Sequence, residues 1–311
     1  MEYIIVNKSE FISRLNEFCD LYKLCFNQEM TLKEAEWRYI NNPVSDFMAC
    51  FCIDNGKLVA NYSVSPMLLS KDNREIKAAQ SLNTMTHPDY AGKGIFVEMA
   101  TMIYDELERK GYELVYGFPN YISNRTFVEK LGWKDIYEIP MLELNLSSYR
   151  KLNNADELVQ EDSEFVTDVS LSLFNSKKIQ VKRTNEYLRW RYYEHPNNTY
   201  KSFVIKNDEG VIARIVCKEY KDRLNIIDFE YVDVKDMKTL IEYCLSYAVE
   251  LGKNYVTTWA QLGTLEHLYF EKRGFRNSAP VTYLGARVFS NDNSFYEYGN
   301  WHVCLGDDNV F

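Results

Sequence analysis

Several features are missing from this sequence, and each absence narrows the classes of protein to consider. The start, MEYIIVNKSE, has no basic segment and only a short apolar run, so we expect neither a signal peptide nor a membrane span, and a cytoplasmic protein. The seven cysteines are odd in number and form no C-x-x-C pair. This argues against a disulfide framework and a zinc site, and we predict no metal.

An excess of positive charge is also missing. The chain has 36 Lys and Arg residues against 45 Asp and Glu residues, for a net charge of -9. Negative charge repels a polyphosphate backbone, so we do not expect nucleic acid as a partner.

The sequence does contain enough chain for two hydrophobic cores. Its 311 residues exceed the common size of one domain. A hydrophobic fraction of 46% with 26% charged residues is typical of a protein that folds throughout.

The two halves of the chain resemble each other. The heptapeptide WRYINNP at 37–43 returns as WRYYEHP at 190–196, with Trp, Arg, Tyr and Pro at the same spacing. Each copy precedes an alternating apolar segment that is broken by a turn, around 55–56 or around 209–210, and this pattern predicts a β-hairpin. An internal repeat of this kind indicates two copies of one fold.

The order of elements after each hairpin is shared as well. Apolar residues recur at helical spacing over 96–107 and over 237–251, and each run ends before a glycine. A strand and a short helix ending in EKLGW or EKRGF follow in both halves. We predict an α/β fold of two tandem domains, each a central mixed β-sheet flanked by helices, over 1–147 and 160–311, with a polar linker over 148–159.

The segment THPDYAGKGIF, 86–96, joins the end of a predicted strand to the first long helix. Gly92 and Gly94 free the backbone, so successive N–H groups can turn toward one anion, and the helix N-terminus adds partial positive charge. Lys93 adds a full charge. The segment suits a pyrophosphate group, although a G-x-G before a helix also occurs in ordinary turns.

The order of strand, glycine loop, long helix, strand, Asn120, short helix and Gly-aromatic ending resembles the GNAT family of acetyl-CoA-dependent N-acetyltransferases. The resemblance covers about residues 20–145. The family loop binds the CoA pyrophosphate through main-chain amides, so the resemblance implies acetyl-CoA as cofactor. The implied pyrophosphate site is a run of five residues, Gly92, Lys93, Gly94, Ile95 and Phe96.

Two positions of the loop depart from the family pattern. Ala91 stands where Arg or Gln is expected, and Phe96 where a small residue is expected. A bulky residue at the last position is similar to tandem GNAT proteins of the enhanced-intracellular-survival type, which pair an active domain with a degenerate one.

The resemblance also implies contacts with the rest of the cofactor. The strand that ends at Met85, Thr86 and His87 should bind the pantetheine arm and orient the thioester carbonyl. Asn120 matches a position that often contacts the cofactor. The alternative for His87 is a loop residue with a local hydrogen bond, and for Asn120 it is an Asx-turn cap.

The usual general acid of the family is absent. A Tyr normally stands four residues before the glycine of the Gly-aromatic ending, and this position is Val128 here. A thiol has a pKa of about 8.5, so CoA can leave with less proton assistance than an alkoxide. Tyr121 or Tyr116 could supply the proton, or could simply be packed.

The second half lacks the glycine loop. The segment before its long helix, DFEYVDVKDMKT, contains no glycine and carries Asp233 and Asp236, which would repel an anion. By the likeness to tandem GNAT proteins, the second half is a degenerate copy that contributes to the acceptor site.

A general base must come from outside the strand that ends at Pro88, because no carboxylate lies between Ala78 and this proline. The end of the sequence offers Asp307, Asp308 and a terminal carboxylate at Phe311. Proteins of the enhanced-intracellular-survival type resemble this arrangement in using a chain-terminal carboxylate as base. The alternative is a solvated acidic tip, with water relaying the amine proton.

These features predict an acetyl-CoA-dependent N-acetyltransferase. A small amine, such as an amino sugar or an aminoglycoside, would attack the thioester directly. The negative charge of the chain favours ammonium-bearing acceptors. The alternative is a non-catalytic acyl-CoA-binding sensor or scaffold, because Ala91, Phe96 and Val128 depart from the family pattern. The oligomeric state cannot be read from one chain.

Overall fold

The computed structural model describes residues 1–44, 47–151, 158–165 and 177–311, so part of the predicted linker, 152–157, lies outside the described residues. The chain divides into two units, each assembled from separate segments. Unit 1 comprises Met1–Leu69, Arg74–Tyr137 and Tyr283–Gly299, and unit 2 comprises Ser70–Asn73, Glu138–Thr282 and Asn300–Phe311.

The described helices and strands follow the predicted order in both halves. In the first half they are β1 Glu2–Val6, α1 Lys8–Ser13, α2 Leu15–Phe26, α3 Leu32–Ala35, a π-helical turn Glu36–Ile40, β2 Met48–Asp54, β3 Lys57–Lys71, β4 Arg74–Thr86, α4 Ile95–Arg109, β5 Leu114–Gly117, α5 Tyr121–Leu131 and β6 Lys134–Asn145. In the second half they are β7 Gln160–Glu161, β8 Gln180–Val181, α6 Asn185–Leu188, a π-helical turn Arg189–Tyr193, β9 Tyr200–Asn207, β10 Gly210–Tyr220, β11 Arg223–Tyr231, α7 Val234–Glu250, β12 Tyr255–Thr258, α8 Leu265–Lys272 and β13 Arg276–Val288.

The first hairpin forms where the sequence predicts it. Asp54 pairs with Lys57 across a two-residue turn, in which Asn55 has a φ of 50° and Gly56 a φ of 80°. Positive φ at both positions is the requirement of a type I′ turn, which Asn-Gly meets at low cost. The hairpin therefore follows from local chemistry.

The sheet strands of the two units follow the same topology. In unit 1 the strand order is β1-β2-β3-β4-β5-β13, and in unit 2 it is β7-β9-β10-β11-β12-β6. Each unit contains a parallel pair, β4 with β5 or β11 with β12, and each of these pairs spans three residues. The predicted mixed β-sheet flanked by helices is confirmed, and the two tandem domains stay a prediction.

The last strand of each sheet comes from the other half of the chain. The end of β13 pairs antiparallel with β5, with Gly285 opposite Gly117, and the end of β6 pairs antiparallel with β12, with Asn145 opposite Tyr255. Each unit thus contains a strand that a division into two contiguous halves would assign to the other domain.

Apolar faces of the helices bury the sheets. In unit 1, Met99, Ile103 and Leu107 of α4 pack on one face of the sheet, and Phe11 and Phe18 pack on the other. In unit 2, α7 and α8 contribute to one large cluster. Within the described residues, no helix is long and apolar enough to cross a membrane.

Candidate functional site

Strands β4 and β5 separate soon after their parallel pairing. The register ends with Gln80 opposite Tyr116, β5 ends at Gly117, and β4 continues to Thr86. The two strands are still close at Gly117, since a Cβ atom there would lie 3.3 Å from the Cβ of Ser81. Among the described residues, β4 has no register partner on β5 beyond Gln80. Main-chain groups on the β5 side of this stretch are therefore available to a ligand, apart from the carbonyl oxygens of Asn83 and Thr86, which accept hydrogen bonds from Asn61 and Cys25.

The alternation of side chains along β4 is interrupted in the same stretch. Leu82 and Met85 are three residues apart and would point to opposite faces of a regular strand. Both belong to the core cluster that contains Phe11 and Phe18. The strand therefore departs from regular alternation between these two residues, and such irregularities are frequent beside functional sites. Because the side chain of Met85 is fully buried, only its main chain can contact a ligand.

Thr86 and His87 end the strand with local hydrogen bonds. The carbonyl oxygen of Thr86 accepts a hydrogen bond from the Cys25 thiol at 3.4 Å. His87 Nδ1 accepts from the N–H of Asp89 at 3.2 Å and caps the 3₁₀ turn Pro88–Tyr90. The imidazole thus makes a local hydrogen bond, which is the structural alternative to a role of His87 in cofactor binding.

The glycine loop leads directly into α4. Gly92 has a φ of 75° and Gly94, the N-cap residue, has a φ of 78°, both left-handed values that favour glycine. A Cβ atom at either position would have no described atom within 4 Å, so the loop borders open space. No side chain of the described residues caps α4, and the N–H groups of a first helical turn have no partner within the helix. The loop can bind an anion.

Tyr90 fixes the glycine loop to the sheet. Its hydroxyl donates a hydrogen bond of 2.7 Å to Asp54 at the end of β2. This hydrogen bond is the largest cause that lowers the pKa of Asp54, so the carboxylate stays ionised. Lys93 Nζ lies 4.5 Å from the centroid of the Tyr90 ring, which keeps its charge beside the loop.

The side chains of Ile95 and Phe96 point toward the core. Ile95 is buried, and the half-buried Phe96 ring lies 5.4 Å from the Tyr62 ring and 5.3 Å from the Phe127 ring, measured between centroids. Of these two residues, only the main-chain N–H groups can therefore contact an anion at the glycine loop.

A chain of buried hydrogen bonds leads across the sheet to β4. Trp133 Nε1 donates to the Tyr104 hydroxyl at 2.9 Å, and the hydroxyls of Tyr104 and Tyr62 lie 3.1 Å apart. Tyr62 in turn donates to Ser81 Oγ at 3.1 Å. Burial raises the pKa of Tyr62 to about 12, so the phenol is neutral near pH 7. The chain holds β4 where it leaves β5.

Asn120 and Tyr121 begin α5 and differ in exposure. Asn120 is the N-cap residue, and its Oδ1 accepts from the N–H groups of Ile122 and Ser123 at 3.1 and 3.0 Å. Tyr121 is 80% exposed, whereas Tyr116 is almost fully buried. Tyr121 is the more accessible of the two candidate acids.

A polar cluster from the first π-helical turn contacts β4 beyond its pairing with β5. The Tyr39 hydroxyl donates to Asn83 Oδ1 at 2.9 Å, and Arg38 Nη1 donates to the same oxygen at 3.3 Å. Arg38 Nη2 also donates to Glu34 at 2.9 Å. The main-chain oxygen of Asn83 accepts from Asn61 Nδ2 at 3.2 Å. The repeated W-R-Y tripeptide is thus hydrogen-bonded to the open part of β4, the residues after Gln80 that have no described register partner on β5.

Asp307 has internal partners in unit 2. Arg183 Nη2 donates to its Oδ1 at 3.1 Å, and the N–H of Cys304 donates to its Oδ2 at 2.8 Å. Burial raises the pKa of Asp307 to about 6, while the charge of Arg183 acts in the opposite direction.

Asp308 and Phe311 also have partners in unit 2. Asp308 is buried, and its Oδ1 accepts from the N–H of Val310 at 3.2 Å. The main-chain oxygen of Phe311 accepts from Arg191 Nη2 at 2.5 Å and from the Tyr200 hydroxyl at 3.0 Å. The acidic residues that the sequence offers as base are thus hydrogen-bonded within their own unit.

Arg38, Tyr39 and Asn83 lie at this candidate site without belonging to a chemical motif of the sequence. The signal was present in the repeat, because Arg and Tyr recur at the same spacing in both halves. In the second half, the Tyr192 hydroxyl donates to Asp228 at 2.7 Å. Tyr62 and Tyr104 carry no comparable signal, since their contact joins elements that are distant in sequence.

Comparison with known families matches the segment that contains this site. Residues 11–136 match the family model described as an acetyltransferase (GNAT) domain. No curated protein sequence matches the chain significantly.

Solved structures share the fold of nearly the whole chain. A conserved protein of unknown function from Enterococcus faecalis V583, described as a probable N-acyltransferase, aligns with a TM-score of 0.72 and 14% identity over 93% of this chain and 73% of that chain. A GCN5-related N-acetyltransferase from Anabaena variabilis ATCC 29413 aligns with a TM-score of 0.66 and 12% identity over 93% and 73%. Saccharomyces cerevisiae N-myristoyltransferase with bound myristoyl-CoA aligns with a TM-score of 0.62 and 9% identity over 92% and 79%.

At these identities the structural likeness concerns the fold, and the family match supplies the class of reaction. The matched segment contains the open part of β4, the glycine loop, α4, β5 and α5. Residues 11–136 therefore match the GNAT family of acetyltransferases, and the class of reaction that this match indicates is acyl transfer.

Proposed function

We propose that the protein transfers an acetyl group from acetyl-CoA to a small amine. The observation that carries the proposal is the glycine loop, which opens α4 directly after the end of β4 that has no register partner on β5 among the described residues. Acetyl-CoA is the acyl donor that the likeness to the GNAT family implies.

The cofactor would lie along the loop and the strand. Its pyrophosphate would accept hydrogen bonds from the N–H groups of residues 92–96, with the charge of Lys93 nearby. Its pantetheine arm would bind main-chain groups of β4 over 82–86, which have no register partner on β5 among the described residues. His87 and Asn120 would hold the two ends of this cofactor site in place, because each caps the helical turn that begins beside it.

The transfer itself is a direct displacement. The amine nitrogen attacks the thioester carbon, a C–N bond forms, the C–S bond breaks and CoA leaves as the thiolate. Main-chain N–H groups of β4 would stabilise the oxyanion. Tyr121 or water would protonate the thiolate.

Water would relay the proton that the amine loses. This choice is supported by Asp307, Asp308 and the main chain of Phe311, which all have hydrogen-bond partners in unit 2. Each of these oxygens would have to leave a hydrogen-bond partner before it could accept the amine proton, although burial raises the pKa of Asp307 to about 6.

Substitutions in the glycine loop test the proposal. Gly94→Asp introduces a strained φ and a negative charge where the phosphate would approach, so CoA affinity should fall more than about tenfold in isothermal titration calorimetry. Gly94→Ala, the matched control, introduces only the strain and should weaken binding less. Lys93→Ala should weaken it by about threefold, because the removed charge is exposed. Unchanged CoA affinity of Gly94→Asp would refute the site.

A turnover measurement distinguishes an acetyltransferase from a non-catalytic acyl-CoA-binding sensor. Thiol release from acetyl-CoA in the presence of an amine panel should depend on the amine, and acetylated amine should appear in equal amount. CoA binding without amine-dependent thiol release would instead support the sensor.

A further inference from the structure

The two units carry the same small arrangement at corresponding places. In unit 1, Tyr39 of one π-helical turn donates to Asn83 on β4. In unit 2, Tyr192 of the other π-helical turn donates to Asp228 on β11. The two acceptors lie at the same strand position, five residues after the first residue of the parallel pairing, 78 to 83 and 223 to 228. The arginine before each tyrosine therefore has a counterpart in the other unit.

In unit 2 this arginine binds a peptide main chain. Arg191 Nε donates to the carbonyl oxygen of Gly306 at 3.1 Å, and Arg191 Nη2 donates to the carbonyl oxygen of Asp308 at 3.0 Å. Gly306 lies so close to Tyr192 that a Cβ atom would overlap the tyrosine hydroxyl. The segment 306–308 thus supplies main-chain carbonyl oxygens as acceptors for the Arg191 guanidinium.

In unit 1 the corresponding donor is buried and unused. Arg38 Nη1 and Nη2 donate to Asn83 and Glu34, but among the described residues Arg38 Nε has no hydrogen-bond partner. The Arg38 side chain is only 12% exposed. A buried N–H without an acceptor is unfavourable, so this atom points to an acceptor that a ligand would supply.

The position of Arg38 places such a ligand at the proposed reaction site. Arg38 is bonded to Asn83, which lies on β4 beyond Gln80, where the pairing with β5 ends. The thioester of the proposed function would lie along the same stretch. A molecule whose amine attacks the thioester there can bring a neighbouring oxygen to Arg38.

We infer that Arg38 Nε binds a carbonyl or carboxylate oxygen of the acceptor, which is an α-amino acid or the N-terminal residue of a peptide. These molecules carry a carbonyl or carboxylate oxygen close to the amine, the kind of acceptor that Arg191 binds in unit 2. Amino sugars and aminoglycosides carry hydroxyls there, which are weaker acceptors for a guanidinium than a carboxylate is. The inference rests on the proposed function, because it identifies the acceptor of the same transfer.

An acceptor panel tests the inference on the full chain. Thiol release is measured with the standard amino acids, with their amides, and with primary amines that lack the carbonyl group, such as 2-phenylethylamine beside phenylalanine and phenylalaninamide. The kcat/KM of the best carbonyl-bearing acceptor should exceed that of its matched amine by at least about tenfold. Preference for the acid indicates a free amino acid, and preference for the amide indicates a peptide. Equal kcat/KM for the matched amine would overturn the inference.

Arg38→Lys tests the residue, because lysine keeps the charge and lacks the Nε donor. The KM for the best acceptor should rise at least about tenfold, with kcat within about threefold and CoA affinity unchanged. Arg109→Lys, at an exposed arginine of α4, is the matched control and should leave both constants unchanged. An unchanged KM in Arg38→Lys would contradict the assignment. If Arg38→Lys does not fold, calorimetry of the parent protein with CoA and either phenylalaninamide or 2-phenylethylamine gives the same comparison.

The two proposals fail in different ways. If Gly94→Asp keeps full CoA affinity, the proposed cofactor site is wrong. If CoA binding and transfer follow that proposal but the carbonyl group brings no advantage, only the role of Arg38 is wrong.

Discussion

Glu230 is an acidic residue that is buried in unit 2. Its Oε2 lies 3.4 Å from Arg214 Nη1, and burial raises its pKa from 4.5 to about 7 although Arg183 and Arg214 act against the shift. A carboxyl whose pKa is raised by folding binds a proton more tightly in the folded state. Its contribution to the free energy of unfolding is therefore fully present below pH 4.5 and is lost as the pH rises through 7.

Glu230→Gln should remove this pH dependence, because the amide does not titrate. Between pH 5 and pH 8, the free energy of unfolding of the variant relative to the parent should rise by on the order of 2 kcal/mol. Urea unfolding followed by tryptophan fluorescence at both pH values measures it. Glu209→Gln, at an exposed position of the second hairpin turn, is the control. A difference between Glu230→Gln and the parent that stays constant with pH would contradict the assignment.

Single residues were predictable where one local property decides their place. Gly92 and Gly94 adopt the left-handed φ values that a glycine loop requires, and their role in CoA binding stays a prediction. The hydrogen bonds from Trp133 through Tyr104 and Tyr62 were not predictable, because they join side chains that are 29 and 42 residues apart. No spacing in the sequence encodes such a contact.

At the scale of elements, local signals predicted the helices better than the irregularities. The amphipathic runs of α4 and α7 lie where the apolar spacing indicates, and Gly132 ends α5 in the left-handed conformation. The interrupted alternation between Leu82 and Met85 has no signal in AAQSLNTMTHP, since both residues are apolar and fit either face. The open end of β4 also depends on where β5 stops, which is a property of two elements together.

The last segment of the chain is an element whose role can be tested by deletion. Removing residues 309–311 removes the hydrogen bonds of the Phe311 main chain with Arg191 and Tyr200, while Arg191 keeps its bond to Gly306. If water relays the amine proton, kcat should stay within about twofold of the parent, and the melting temperature should fall by a few degrees, about the effect of losing 1 kcal/mol. Thiol release and thermal unfolding give the two values.

The opposite outcome would identify the segment as the base. In that case kcat of the deletion variant falls at least about tenfold, while its CoA affinity and melting temperature stay close to those of the parent protein. Asp307→Asn then distinguishes the side-chain carboxylate from the main-chain end, since it leaves residues 309–311 in place.

The architecture of the whole molecule was predictable only in part. The repeat of WRY and of the hairpin, helix and strand order predicted that one topology occurs twice, and the strand order within each unit agrees with this. The exchange of β6 and β13 was not predictable, because each strand follows its own half without a break in the sequence. Pairing of β13 with β5 depends on contacts across most of the chain, which neither periodicity nor turn chemistry records.

This exchange predicts that the first half cannot complete its own sheet in the native way. A fragment of residues 1–147 lacks Gly285, which packs against Trp133, and Arg287, which donates to the carbonyl oxygen of Leu131 and lies over the Tyr104 ring. The fragment would also leave the edge of β5 unpaired, and an unpaired apolar edge promotes aggregation.

We expect the fragment 1–147 to aggregate or to bind CoA much more weakly than the full chain, by at least about tenfold. Joining 276–299 to residue 137 through a flexible Gly-Ser linker should restore a monomer with CoA affinity near that of the full chain, because it returns the strand that pairs with β5. Size-exclusion chromatography and calorimetry of both fragments measure this. A monomeric fragment 1–147 with full CoA affinity would show that β6 can take the place of β13, and that the exchange is not needed for the cofactor site.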